Sequence, residues 1–392
     1  MSVTYPQGFI AAGVAAGLKA SGGKDVAVVV NTGEHPAAAA VFTPNRFPAA
    51  PVQWSRQALA RDGATPVAVV LNSGGANACT GDAGYQQAAR EASCAAGLLG
   101  LDDNADVLVC STGLIGELLP IDKVCAGIEQ AVEQAWQLES VGGELAAEAI
   151  LTTDTHPKTA TARGDGYLIG GMAKGAGMLA PALATMLVVV TTDAAMTNDQ
   201  AQSALAEAVR VTFNRLDSDG CQSTNDTVIL LASGESGTTP DPADFTTTLT
   251  EVCADLAHQL IGDAEGAAHV IALQVTGATS EDAGLEVARA IARSNLVKTA
   301  IFGNDPNWGR ILAAAGTVPA AVAPYDSAQV DVTVNGVTVC RSGGVGDDRS
   351  LVDLTPRNTS IDVDLHAGAH TVTLLTTDLT HDYVHENSAY SS

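Results

Sequence analysis

Short apolar segments rich in valine alternate along the chain with alanine-rich segments of helical length. This alternation is typical of proteins that mix strands and helices. It predicts strands at residues 25–30, 38–42, 67–71, 107–110, 183–191, 228–231 and 270–275. It predicts helices at residues 84–99, 121–137, 144–151, 200–215, 245–261 and 281–293.

After residue 330 the pattern changes to strict alternation of valine with polar residues. Asn335 and Gly336 stand between two alternating runs, and this dipeptide favours a tight hairpin. Residues 362–365 and 371–375 resemble a second antiparallel pair, whereas residues 381–392 predict no regular element. We therefore expect three blocks, at residues 1–184 and 185–318 and an antiparallel-rich part at 319–392.

A glycine-rich segment at residues 170–177 carries Lys174 and leads to Ala184 and Thr185, at the start of a predicted strand. The glycine spacing does not match a P-loop, and a tight structural turn explains the glycines equally well. If the Ala184–Thr185 bond is cut, Thr185 becomes an N-terminal residue whose own amine is the base for its hydroxyl. The segment therefore predicts either a structural turn or a self-cleaving enzyme.

The formal net charge is −25, from 19 basic and 44 acidic residues, and such a surface repels nucleic acid and anionic membranes. Seven widely spaced cysteines, with no Cys-x-x-Cys pair, argue against a disulfide framework and against a zinc site. We expect reduced, mostly buried thiols. Residues 1–8 carry no export signal, and the longest apolar runs are too short to cross a bilayer. These features predict a cytoplasmic protein that binds neither nucleic acid nor membranes.

Polar groups next to predicted strands are candidates for chemistry. Thr112 and Gly113 follow a strand, where a hydroxyl and an N–H either stabilise an oxyanion or cap an ordinary turn. Glu265 stands near two glycines, either in a simple turn or as a binding site for an amino group. The acidic loop at 215–227 resembles a calcium loop only loosely, so a polar loop that feeds a strand is favoured. No motif of a zinc or serine hydrolase is present in the sequence, and no metal is expected.

Segments along almost the whole chain resemble the glutamate N-acetyltransferase family, also called ornithine acetyltransferase, of the arginine pathway. Specific ones are Ala-Asn-Ala-Cys-Thr-Gly at 76–81, Ala-Thr-Met-Leu at 184–187 and Asn-Asp-Pro-Asn-Trp-Gly-Arg at 304–310. Further matching segments lie at 40–43, 72–74, 110–116, 152–155, 174–187, 223–227 and 386–390. Departures at Gly75, at residues 182–183 and at residues 221–222 touch no catalytic position and concern substrate preference.

The resemblance implies an α/β (α+β) fold, an αββα-like sandwich of the self-processing N-terminal-nucleophile type with an additional C-terminal α/β region. It implies autocleavage between Ala184 and Thr185 and assembly as a heterotetramer of two alpha and two beta chains. Thr185 is then the nucleophile, and Thr112 and Gly113 form the oxyanion hole. The implied substrate-binding residues are Thr152 (with Thr153 as the alternative register), Lys174, Thr185, Glu265, Asn387 and Ser392.

The implied reaction is a ping-pong transfer of an acetyl group from N2-acetyl-L-ornithine to L-glutamate, without a cofactor. Whether acetyl-CoA is a second donor stays open at this point. Two other functions also stay open. One is an N-terminal-nucleophile aminopeptidase or amidohydrolase, in which water is the acceptor. The other is an unprocessed protein that binds amino acids.

Overall fold

The computed structural model describes residues 2–179 and 186–389. The strands are β1 (Phe9–Val14), β2 (Val26–Asn31), β3 (Ala37–Phe42), β4 (Ala68–Asn72), β5 (Val107–Ser111), β6 (Lys158–Arg163), β7 (Leu168–Lys174), β8 (Leu187–Thr192), β9 (Thr227–Ala232), β10 (Val270–Ala278), β11 (Asp331–Val334), β12 (Val337–Arg341), β13 (Gly344–Val345), β14 (Asn358–Asp364) and β15 (His370–Thr377). The helices are α1 (Ala50–Leu59), α2 (Gly81–Leu99), α3 (Ile121–Ala135), α4 (Gly142–Ala149), α5 (Asn198–Val211), α6 (Pro242–Gly262), α7 (Glu281–Ala292), α8 (Asn295–Phe302), α9 (Trp308–Ala315) and α10 (His381–Ala389).

Two sheets lie face to face. One has the strand order β1-β2-β4-β5, and the other has the order β3-β9-β8-β7-β6. Side chains from both sheets meet between them, for example Val29 and Leu71 from the first and Val189 and Ile229 from the second. Because successive side chains of a strand point to opposite faces, their neighbours, such as Val28, face away from this layer. Burial on both faces explains why these strands are continuous apolar runs.

Helices cover the outer face of each sheet. α2 and α3 pack on the first sheet through residues such as Ala92 and Ile128. α5 and α6 pack on the second sheet through residues such as Leu205 and Leu256. The layers follow the order helix, sheet, sheet, helix, which confirms the predicted αββα sandwich. Within the part of the chain that the structure describes, no helix is long and apolar enough to cross a bilayer.

A third sheet with its own apolar core follows in the C-terminal part, in the order β13-β12-β11-β14-β10-β15. The hairpin predicted at Asn335 and Gly336 is confirmed, because both residues have positive φ (44° and 82°) and join β11 to β12. The predicted pairing of residues 362–365 with 371–375 is wrong. β10 lies between β14 and β15 and pairs with both.

Two other predicted segments differ in the structure. Residues 381–389 form α10, for which the sequence predicts no element; the helix buries none of its residues, so no apolar periodicity marks it. Gly170 and Gly171 lie inside β7, so the predicted glycine loop is partly strand. The strand predicted at 183–191 is described from Leu187 onward, and Ala184 and Thr185 lie outside the described residues.

A disulfide joins Cys94 on α2 to Cys125 on α3, which corrects the prediction that the thiols are reduced. The two cysteines are 31 residues apart, and the packing of two helices brings them together. Sequence rules look for short cysteine spacings and do not reveal such a contact. The remaining cysteines are free, with Cys110, Cys253 and Cys340 buried and Cys79 and Cys221 exposed.

Candidate active site

A cavity of about 470 Å³ lies at the ends of β4, β5 and β7. Six residues that the sequence analysis singled out line it together: Thr112, Gly113, Thr152, Lys174, Glu265 and Asn387. Thr153, the alternative to Thr152, lines it as well. Ala184, Thr185 and Ser392 lie outside the described residues, so the structure does not place them.

Thr112 and Gly113 follow the last residue of β5. The Thr112 N–H donates to the carbonyl oxygen of Asn72 over 3.0 Å, which extends the pairing of β4 with β5. Gly113 has a φ of 132°, and a Cβ at this position would lie 2.9 Å from the Cα of Gly75. Only glycine fits here without strain. The segment therefore presents a buried hydroxyl next to a backbone fixed by close contact.

Lys174 ends β7, and its side chain is almost completely buried. Its Nζ donates to Thr152 Oγ1 over 2.6 Å and to Thr112 Oγ1 over 3.3 Å. Burial lowers the pKa of Lys174, and the carboxylate of Asp154, 3.9 Å from Nζ, opposes this effect. The ammonium group thus joins the segment at Thr112 to the segment at Thr152.

Behind Lys174 lies a row of buried charges that the sequence analysis did not single out. Lys158 Nζ is 2.7 Å from Asp154 Oδ1 and 2.6 Å from Asp263 Oδ2. The N–H of Gly175 also donates to Asp154 over 2.6 Å. Burial raises the pKa of Asp154, but the charges of Lys174 and Lys158 and these hydrogen bonds outweigh it and lower the pKa to about 2. Asp154 is therefore ionised and holds Lys174 in place.

Among the described residues that line the cavity, Glu265 is the acidic one. Thr153 Oγ1 donates to Glu265 Oε1 over 2.7 Å, and Asn387 Nδ2 donates to Oε2 over 3.1 Å. A Cβ at Gly177 would lie 2.5 Å from Oε2, so glycine lets this carboxylate pass against the backbone. Thr153 therefore contacts Glu265, whereas Thr152 contacts Lys174.

The chain enters β8 beside this cavity. Leu187, the first residue of β8, pairs with Lys174 across the sheet. The N–H of Met186 donates to Asp226 Oδ1 over 3.1 Å. Burial raises the pKa of Asp226 well above its ordinary range. Asp226 is therefore a buried acid near the site; the sequence analysis places it in the acidic loop at 215–227 and in the matching segment at 223–227 but assigns it no role.

The acidic loop at 215–227 feeds β9, as predicted. Its residues Ser223, Thr224 and Asn225 line the cavity. Asn225 Nδ2 donates to the carbonyl oxygens of Ala76 and Ser111, over 2.6 Å and 2.8 Å. The loop therefore ties the end of β5 to the start of β9.

A buried polar network lies behind the end of β5. Asn72 Nδ2 donates to Ser111 Oγ over 2.7 Å and to Glu91 Oε2 over 3.0 Å. Glu91 is fully buried, and burial raises its pKa to about 8 despite the hydrogen bond from Asn72. Since Asn72 also accepts the N–H of Thr112, this network supports the segment that carries Thr112 and Gly113.

The sandwich and its cavity define a two-sheet α+β protein with a buried lysine at its candidate site. The ArgJ family model matches residues 10–392, and the chain belongs to the ArgJ family.

Similar proteins include the arginine biosynthesis bifunctional protein ArgJ from Thermobifida fusca, 61% identical over 393 aligned positions, and the protein of that name from Bifidobacterium longum, 59% identical over 395. Each alignment covers 100% of both chains. A crystal structure of ornithine acetyltransferase complexed with ornithine, from Mycobacterium tuberculosis, is 49% identical. It covers 46% of this chain and 94% of its own, with a TM-score of 0.43.

Replacing Glu91 with glutamine tests the buried network. The unfolded chain ionises Glu91 above pH 4.5, but the folded protein keeps the proton until about pH 8. The folded state therefore loses stability as the pH rises from 4.5 to 8. We expect Glu91→Gln to unfold like the parent at pH 4.5 and to be more stable at pH 8.5, by on the order of a few kcal/mol.

Urea unfolding of both proteins at the two pH values measures this difference. Glu129→Gln, at an exposed position on α3, is the control and should show no such pH-dependent gain. An equal effect of Glu91→Gln at both pH values would contradict the prediction.

Proposed function

We propose that this protein transfers an acetyl group from N2-acetyl-L-ornithine to L-glutamate, within arginine biosynthesis, through a covalent acetyl-threonine at Thr185. The observation that carries the proposal is the contact of Lys174 with both Thr112 and Thr152 at the point where β8 begins. A hydroxyl, a buried cation and a carboxylate thus line one cavity. Leu187, two residues after Thr185 in the sequence, pairs with Lys174 in the wall of this cavity. The names of the curated relatives agree with a role in arginine biosynthesis.

The first half-reaction uses Thr185 as an N-terminal nucleophile. Its hydroxyl oxygen attacks the acetyl carbonyl carbon while its own α-amine takes the hydroxyl proton. Thr112 accepts a hydrogen bond from Lys174, so its own hydroxyl hydrogen is available for the oxyanion, together with the N–H of Gly113. The carbon–nitrogen bond of the donor then breaks, the α-amine returns its proton to the leaving nitrogen, and ornithine leaves.

The second half-reaction reverses these roles. The amine of glutamate attacks the acetyl ester and loses a proton to the α-amine of Thr185. The ester carbon–oxygen bond breaks, the Thr185 oxygen regains a proton, and N-acetylglutamate leaves. We assign Lys174 to the α-carboxylate that both substrates share, and Glu265 with Asn387 to an amino group. We propose Ser392 and one of Thr152 and Thr153 as further substrate contacts. No cofactor is needed.

An N-terminal Thr185 requires cleavage of the Ala184–Thr185 bond, and we propose that the chain cleaves itself there. Such a cut would not separate the pieces. β7 pairs with β8 from Ile169 to Lys174, and β3 pairs with β9 across the same boundary. We propose an assembly of two alpha and two beta chains in the cytoplasm.

Replacing Thr185 with alanine removes the nucleophile for both cleavage and transfer. We expect the parent to separate under denaturing conditions into pieces of 184 and 208 residues. Thr185→Ala should stay at 39.6 kDa and lack transferase activity, whereas Thr247→Ala, on the exposed side of α6, should behave like the parent. Intact-mass measurement and an acetylglutamate assay check this. A cleaved or active Thr185→Ala protein would refute the role of Thr185.

Ornithine release with and without glutamate separates a transferase from a hydrolase. With acetylornithine alone, a transferase stops after about one ornithine per active site, because the acetyl group stays on Thr185. Addition of glutamate should then restart release and yield acetylglutamate in equal amount. Continuous release with water alone would instead indicate an amidohydrolase.

We also propose acetyl-CoA as a second donor, because the relatives are named bifunctional. With acetyl-CoA and glutamate, the parent should release free CoA thiol in step with acetylglutamate, and Thr185→Ala should not. A thiol assay measures this. Absence of thiol release from a protein that still uses acetylornithine would restrict it to the transfer reaction.

A further inference from the structure

Two cationic side chains line the cavity although the chain carries a net charge of −25. Among the described residues that line it, the charged side chains are Lys19, Lys174 and Glu265. Lys174 and Glu265 have roles in the proposed function, but Lys19 has none. A second cation in the wall of a substrate cavity suggests a second anionic group on one of the substrates.

The fold presents Lys19 on a rigid loop between β1 and β2. The buried carboxylate of Asp25 accepts the N–H groups of Ala16, Leu18 and Lys19, over 2.6, 2.6 and 3.1 Å. Leu18 packs so closely on Gly74 that a Cβ there would lie 2.4 Å from the Cβ of Leu18. The loop is therefore fixed to the backbone next to Gly75, which in turn contacts Gly113.

The ammonium group of Lys19 is close enough to the charged residues of the site to interact with them electrostatically. Burial lowers the pKa of Lys19, and after Asp25 the charges of Lys174 and Asp154 are the next influences. Among the described residues, its Nζ donates to the carbonyl oxygen of Lys24 over 2.6 Å. An ammonium group has three donors, so this contact leaves it able to bind a ligand as well.

The two proposed substrates differ mainly at the far end of the side chain. Both have an α-carboxylate and an α-nitrogen, but ornithine ends in a cation and glutamate ends in a carboxylate. One cavity must accept both in turn. Glu265 attracts the cationic end and repels the anionic end, so the second half-reaction needs an opposing charge. Lys174, buried beside Thr112, is suited to the end that both substrates share.

We propose that Lys19 binds the side-chain carboxylate of the glutamate acceptor and so determines acceptor specificity. This inference rests on the proposed function and adds a residue to it. The cavity then has one partner for each charge: Lys174 for the common carboxylate, Glu265 for the ammonium group of ornithine and Lys19 for the second carboxylate of glutamate.

Ping-pong kinetics make this inference testable, because kcat/KM for each substrate reports only its own half-reaction. Lys19→Gln should lower kcat/KM for glutamate about tenfold or more and leave kcat/KM for acetylornithine within about twofold. Lys19→Arg should keep most of the activity with glutamate because it keeps the charge. Lys24→Gln is the matched control, since it removes a charge from the same loop at a residue paired with Glu148 outside the cavity.

Glutamine as acceptor separates recognition of charge from disturbance of the loop. It has the length of glutamate but a neutral amide. Lys19→Gln should reduce the preference for glutamate over glutamine by the same factor as it lowers kcat/KM for glutamate. An unchanged preference, or an equal loss with acetylornithine, would overturn the role of Lys19. If the parent transfers no acetyl group from acetylornithine to glutamate, the proposed function itself fails, and the inference with it.

Discussion

A positive charge buried at the end of β7 is the constraint on which this site depends. A protein interior tolerates an ammonium group only where partners replace its water. Asp154 balances the charge of Lys174, and the hydroxyls of Thr112 and Thr152 accept its hydrogen bonds. Lys158 in turn holds Asp154, and Asp263 pairs with Lys158 on its other side. The segments that form the cavity are therefore fixed to one another through this group.

The sandwich explains how the charged residues around Lys174 remain buried. Aromatic residues are only 4% of the chain, and small and branched aliphatic side chains fill the space between the sheets. Helices pack on the outer faces of both sheets, so most of the strand residues are kept from water. The polar residues gather where the strands end and the apolar layers stop. At that edge, backbone groups and side chains satisfy charges that the core cannot accept.

Much of the fold could be predicted because strands buried on both faces are continuous valine runs, as in β2, β4 and β9. β1 and β6 were missed because alanine, glycine and threonine interrupt their apolar pattern. The site residues at Thr112, Gly113, Lys174, Glu265 and Asn387 were identified mainly through the family resemblance. The family resemblance does not identify the buried residues that support these site residues. Lys158 and Asp263 form an ion pair although they are 105 residues apart in the sequence. The burial that raises the pKa of Glu91 depends on packing alone.

The contact of Asn387 with Glu265 has a consequence for how the protein is made. Of the described cavity residues, Lys19 is the first to be translated and Asn387 is the last. α10 can dock only after the third sheet has been synthesised, because it follows β15 directly. The site therefore stays incomplete until residue 387 has been translated, after every strand of the three sheets.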